Sequence, residues 1–277
     1  MLVTAPPAEV LSEAERSLQI HGRVVLCQIV RAEGSTPGKV GWKLLARPDG
    51  TFHGNLGGGA FEALVKADAQ DKLGAGAGVA GSEIKRYYLT EEATKGEPTG
   101  MVCGGMAEVF LEVMVAAPVL AICGGGPVGQ ALAKAAALAG FEVLLADDRP
   151  EFRNPELFPA GTRLTEVDRD YRADFLEACR RRELYVAVVT RCWETDTTAL
   201  AAVLRQAPEG LRYLGLMGSR RKVARVREEL AALGFSLSGI RLRAPIGLPI
   251  GGDSPGEIAI SILAEVIGTR YEKVAED

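Results

Sequence analysis

Histidine is scarce in this chain: among 277 residues only His21 and His53 are present. A His-based metal centre or a His-driven catalytic triad would have to be built on one of those two, and neither is expected. The five cysteines stand apart at positions 27, 103, 123, 179 and 192, with no C-x-x-C pair. That spacing excludes a disulfide framework and a zinc-finger pattern. No apolar run approaches the roughly 18 residues that a membrane span needs. The first residues, MLVTAPPAEVLSEAER, lack the basic start and long apolar segment of a signal peptide. A soluble, cytoplasmic protein without a membrane partner is expected. A basic excess is missing as well: eleven Lys+Arg face fourteen Asp+Glu up to residue 117, and twenty-one face twenty-two beyond it, so nucleic acid is not an expected partner.

What is present is glycine placed at strand ends. The length favours two domains, and Ala116-Ala117-Pro118 is a short candidate linker where the pattern changes. Before it, the β-rich runs Val24 to Val30, Trp42 to Ala46, Thr51 to Leu56, Glu83 to Leu89 and Ala107 to Val115 read as an antiparallel arrangement. An amphipathic helix over residues 7–20 and a second helix after Gly57-Gly58-Gly59 accompany them. Beyond the linker, strands and helices alternate regularly, as in a parallel sheet. The expected fold is α/β: an N-terminal α+β domain, residues 1–117, followed by a Rossmann-like parallel-sheet domain, residues 118–277.

Residues 118–149, PVLAICGGGPVGQALAKAAALAGFEVLLADDR, read as strand, glycine turn, helix, strand and acidic stop. Gly124, Gly126 and Gly129 form G-x-G-x-x-G, in which the first glycine allows the tight turn, the second lets a phosphate approach the backbone and the third lets helix and strand pack closely. Asp147 and Asp148 end the second strand, where a ribose-binding carboxylate belongs, and Asp147 is the candidate cofactor contact. The alternative is a purely structural turn.

Four further places could carry chemistry. Gly57, Gly58 and Gly59 precede a helix whose free N–H groups and positive dipole end suit an oxyanion; three glycines also permit a sharp corner, and Glu62 in the first turn is either a ligand contact or a dipole-favourable acid. Cys103, beside Gly104 and Gly105, is a sterically open thiol at the lip of a strand, or a small hydrophobe. Gly218, Ser219 and Arg220 follow a strand and open a helix with cations apt for an anionic ligand, or form a basic surface helix. The stretch GLPIGGDSPGEIAISILAE is a ligand-facing loop or a helix cap. A helix is also expected over Tyr171 to Arg182, and one over Thr197 to Arg205.

Taken in order, RAEGSTP followed by RPDG, then GNLGGGAFE, VCGG, CGGGPVG, DDRPEF, GLMGSRRK and GLPIGGDSPGEIAISILAE resemble the pattern of the xanthine dehydrogenase accessory factor family, the XdhC/CoxI proteins. The resemblance covers nearly the whole chain. It implies an N-terminal XdhC-type domain before the Rossmann-like one, and a protein that binds molybdenum cofactor (molybdopterin), protects it during terminal sulfuration and helps insert it into xanthine dehydrogenase or a related molybdenum hydroxylase. It further implies a homodimer and, as a second partner, a cysteine desulfurase. On it, the Gly57 to Gly59 helix start and Cys103 become candidates for cofactor contact, Cys103 as a cofactor thiol. The chain departs from the family where Arg191, Cys192 and Trp193 replace frequent histidines and where Pro127 stands in the first loop.

An accessory role, with no catalytic residue assigned, is the leading expectation. The alternative is an NAD-dependent oxidoreductase using Gly124, Gly126, Gly129 and Asp147, with NAD or another nucleotide on that loop; Asp147 would favour NAD over NADP. The C-terminal half shows no obvious proton-transfer histidine or Tyr-Lys pair.

Overall fold

The computed structural model describes residues 6–74, 81–89, 97–98, 104–169, 171, 175–179, 181–237 and 242–271. They fall into two compact units, Met1–Ala116 and Ala117–Asp277. No helix among the described residues is long and apolar enough to cross a membrane.

Unit 1 runs α1 (Pro7–His21), β1 (Arg23–Glu33), β2 (Lys43–Ala46), β3 (Phe52–Gly54), α2 (Gly59–Gly74), β4 (Gly81–Leu89), β5 (Glu97–Pro98) and β6 (Gly105–Val115). The strands form one sheet in the order β3-β2-β1-β6-β4-β5, antiparallel except for the parallel pair β4 and β5. Strand β6 buries every second residue, Ala107, Val109, Leu111 and Val113, as a pleated strand with one covered face must. Those side chains pack with Val25, Cys27 and Ile29 of β1 and with Phe61, Val65 and Ala69 of α2. On the opposite face α1 lays Val10 and Ala14 against Val24, Leu26 and Leu45. Proline opens that helix and Gly22, at φ 74°, closes it with its N–H on the Leu18 carbonyl.

Unit 2 runs β7 (Val119–Cys123), α3 (Pro127–Leu138), β8 (Glu142–Asp147), β9 (Arg163–Glu166), β10 (Leu184–Val188), α4 (Trp193–Gln206), β11 (Leu211–Leu216), α5 (Arg220–Ala232), β12 (Leu242–Arg243) and α6 (Pro255–Tyr271). All neighbours are parallel, in the order β12-β11-β10-β7-β8-β9. Counted from β7, this is the doubly wound order 3-2-1-4-5-6 of a Rossmann fold. Strands β7 and β10 are buried at all their residues, because helices cover both faces of the sheet. Leu132 and Ala136 of α3 pack with Ile262 and Val266 of α6 on one side. Leu200 and Val203 of α4 pack with Val226 and Leu230 of α5 on the other.

Two expectations change, and one strand was not foreseen. Between Tyr171 and Arg182 the described residues hold a short 3-10 turn, Glu177–Cys179, instead of a helix. Tyr171, Phe175, Leu176 and Cys179 still reach the core, but Tyr171 has a φ of 48° and the Leu176 N–H is taken by Gln206 Oε1 of α4. Helix α4 begins at Trp193, four residues before Thr197, with Glu194 and Asp196 favouring its positive end. Strand β12 is only two residues long, too short to leave a periodic signal.

Candidate functional site

In unit 2 Gly124 and Gly129 take the turn and packing roles that the motif assigns them. Gly124 has a φ of 116°, and a Cβ there would lie 2.7 Å from the Val189 carbonyl oxygen. Gly129 sits where a Cβ would come 1.9 Å from the Gly124 carbonyl oxygen, so only hydrogen lets α3 pack onto the turn. Gly126 differs: it is the N-cap of α3 at φ −66°, no side chain caps that helix, and a Cβ would meet nothing within 4 Å. The Cβ direction of the N-cap Gly126 is thus unobstructed, at the helix end that carries the positive pole of the α3 dipole.

The acidic stop behaves otherwise than as a bare sugar hook. Asp147 is 1% exposed. Its Oδ2 accepts from the Gly125 N–H at 2.7 Å and from Arg149 Nη2 at 3.0 Å, while its Oδ1 accepts from the Arg149 N–H at 2.9 Å and Nε at 3.0 Å. Its two oxygens therefore brace the glycine turn and Arg149. The neighbouring Asp148 is held by Arg191 in a fork, Nη1 to Oδ1 at 2.7 Å and Nη2 to Oδ2 at 2.8 Å. That hydrogen-bonded guanidinium keeps the Asp148 carboxyl below the usual aspartate range despite burial.

Further along the same edge, Asp196 in the first turn of α4 has no exposed surface. Its Oδ1 accepts from Thr190 Oγ1 at 2.6 Å, and Lys222 Nζ of α5 lies 2.5 Å from Oδ2. Burial raises the Asp196 pKa, against the pull of Lys222 and Thr190. A Cβ at Gly218 would sit 2.8 Å from Lys222 Cε, so this glycine clears the path of the lysine stem. Ser219 is the N-cap of α5, its Oγ accepting from the Lys222 N–H at 3.3 Å. Arg220 is exposed.

In unit 1, Gly57, Gly58 and Gly59 all have positive φ, 117°, 78° and 67°. Here the chain supplies its own anion. Glu62 Oε2 accepts from the N–H groups of Leu56 at 2.9 Å and Gly58 at 3.0 Å, Asn55 Oδ1 accepts from Gly57 at 2.5 Å, and Lys66 Nζ lies 2.8 Å from Glu62 Oε1. Burial opposes the charge on Glu62, yet Lys66 and the two amides outweigh it and hold the carboxyl below its ordinary 4.5. The RAEGSTP segment lies between two glycine crossings: a Cβ on Gly57 would strike the Pro37 carbonyl carbon at 2.5 Å, and one on Gly105 the Ser35 oxygen at 2.3 Å. Ser35 also bridges Gly104, whose Cβ direction is open. Three sequence motifs thus meet at one end of the sheet. Cys103 lies outside the described residues.

Of the described cysteines, Cys27, Cys123 and Cys179 are buried and only Cys192 is partly open. Burial pushes the Cys27 thiol up to about 12 and raises Cys123 and Cys179, leaving all three as neutral packing groups. Among the described residues no cluster of three or more His, Cys, Asp and Glu side chains is arranged to hold a metal ion.

Residues 120–266 match the XdhC Rossmann domain, and residues 18–87 match the XdhC and CoxI family. This chain belongs to the XdhC/CoxI family. Among curated relatives of this XdhC-family chain, the Escherichia coli K12 protein named "Uncharacterized protein YqeB" is 34% identical over 264 residues, covering 94% of this chain and 46% of the relative. A Bacillus subtilis 168 protein, named as a probable xanthine dehydrogenase component, is 31% identical over 166 residues, covering 58% of this chain and 46% of the relative. The chain spans about half the length of the curated relatives it matches. A crystal structure described as a xanthine dehydrogenase from Bacillus halodurans is 23% identical, covers 96% of this chain and 97% of its own, and has a TM-score of 0.47.

Within this XdhC-family chain, sequence reasoning missed the networks that surround the glycine loop. Asp148 was visible as the second acid of DDR, and Arg191 as a departure from histidine. Nothing in the sequence paired them across two strands, nor joined Asp196 to Lys222.

Proposed function

We propose that this chain is an accessory factor for a molybdenum hydroxylase such as xanthine dehydrogenase, which holds molybdenum cofactor, shields it during sulfuration and helps insert it. Family membership and the name of the Bacillus subtilis relative support the link to xanthine dehydrogenase. The observation that carries the cofactor reading is Gly126: a helix start with no side-chain cap, whose Cβ position meets nothing within 4 Å beyond its own chain neighbours, suits the phosphate, or nucleotide, of a pterin cofactor. Gly124 and Gly129 shape that turn, and Arg220 adds an exposed cation to the same sheet edge. When bound, the cofactor supplies its own dithiolene ligands to molybdenum, so the protein's task is to hold the organic part and exclude competing reactions. The end of the unit 1 sheet, with Ser35, Gly58 and Gly104, is a separate candidate contact surface, to which Cys103 adds a thiol in sequence.

Deleting the gene in the organism that carries it, and measuring hydroxylase activity with the molybdenum content of the purified hydroxylase, tests this role. The expected result is hydroxylase protein of normal abundance with depressed activity, restored by the wild-type gene and less by Gly126→Val. Full hydroxylase activity in the deletion strain would remove the accessory role.

The second reading, an NAD-dependent oxidoreductase, is favoured by the doubly wound sheet and G-x-G-x-x-G together. Residues 117–277 contain no histidine to move a proton, and Asp147 is committed to the glycine turn. Substrate-dependent reduction of NAD by the purified chain would favour this reading over the first.

A further inference from the structure

Asp148 follows β8 and Arg191 follows β10, and between those two strands lies β7, which carries the glycine loop. In the sheet register Val188, Cys123 and Ala146 stand side by side. Asp148 and Arg191 therefore rise two and three residues beyond a common level, on either side of Gly124. Two strand spacings amount to about 10 Å, a gap that the two side chains close with their paired 2.7 and 2.8 Å contacts. The pair spans the point where strand order reverses, which is where open α/β sheets take their ligands. One partner is anchored and the other reachable: the Asp148 side chain is 5% exposed and that of Arg191 36%.

We propose that the Asp148–Arg191 pair is an exchangeable latch over the glycine loop, opened by a nucleoside diphosphate group whose phosphates take Arg191 and whose ribose hydroxyls take Asp148. This rests on the reading that the loop receives a phosphate-bearing ligand. The two halves of the pair match the two halves of such a group. A guanidinium fork fits a phosphate as it fits a carboxylate, and a pyrophosphate placed at the amides of α3 carries more charge than one aspartate. The Asp148 carboxylate, once released, has two oxygens for a vicinal diol. Asp147 does not, because Gly125 and Arg149 fill both of its oxygens. Of the two acids at the end of β8, the sugar-reading one is thus Asp148.

Calorimetric titration of the full chain with ADP and with inorganic pyrophosphate tests the latch in wild type, Asp148→Asn and Arg191→Ala, with circular dichroism and thermal melting to verify folding. Arg191→Ala should weaken both probes by about tenfold or more, the loss of one charge-assisted contact. Asp148→Asn should bind pyrophosphate more tightly than wild type, because Arg191 is released, yet ADP less tightly relative to pyrophosphate, because the diol loses its acceptor. If both substitutions move pyrophosphate affinity in the same direction, or neither moves it, the pair is a structural brace and the latch is refuted while the loop reading stands. No heat from either probe with any of the three proteins would refute the latch and the loop reading together.

Discussion

Lys222 Nζ lies 2.5 Å from Oδ2 of Asp196, a carboxylate with no exposed surface that also accepts from Thr190. The contact ties the start of α4 to the start of α5 at the carboxyl edge of the sheet. Removing the lysine leaves a buried charge without its counter-ion, which costs about 3–5 kcal/mol.

Lys222→Met should therefore destabilise unit 2 by that order, measured by denaturant unfolding. Burial already raises Asp196, and losing Lys222 raises it further. A folded-state pKa above the unfolded value stabilises at low pH and loses that contribution as pH rises through it. The deficit of Lys222→Met against wild type should be larger at pH 7 than at pH 4.

On the proposed reading, substitutions at Gly126 and Gly129 should separate binding from folding. Gly129→Ala drives a Cβ to 1.9 Å from a backbone oxygen, and should cost at least about 1–3 kcal/mol in stability. Gly126→Ala meets open space at a φ of −66°, so its stability should stay within about 1 kcal/mol of wild type. Its ligand affinity should fall nonetheless if, as proposed, a phosphate approaches the space that the added methyl group fills. Paired melting curves and titrations verify the contrast.

Glu62 makes the unit 1 corner acid-sensitive. Its carboxyl is held below 4.5 by Lys66 and two amides against the cost of burial. A depressed folded-state pKa gives stability that is present above the unfolded value and lost as pH falls through the folded one. Wild type should lose stability relative to Glu62→Gln as pH drops below about 4.5, the ordinary value; chemical denaturation across that range reads the difference.

Ser219 caps α5 through the Lys222 N–H. Ser219→Ala should cost about 1 kcal/mol and leave pyrophosphate affinity within about twofold, since the serine acts on the helix end; a larger loss of affinity would make it a ligand contact.

The fold was legible in the sequence where pattern and punctuation agree. The apolar run Val119 to Ile122 ending in glycines, and the alternation along β6, needed no tertiary information. Elements held by distant partners were not legible: the described residues 175–179 form only a 3-10 turn, and the Leu176 N–H donates to Gln206, 30 residues away. The site divides in the same way. The turn and packing duties of Gly124 and Gly129 follow from local backbone geometry, whereas Asp148–Arg191 and Asp196–Lys222 join residues 43 and 26 apart that only the strand order brings together.

The most direct test of the cofactor reading is anaerobic equilibrium binding of isolated molybdopterin to the wild-type chain and to Gly126→Val, with the variant's fold verified by circular dichroism. Saturable binding by wild type is expected, with an affinity lowered by about tenfold or more in the variant, the worth of one to two charge-assisted contacts. Equal affinities, or no binding by a folded wild-type chain, would contradict it.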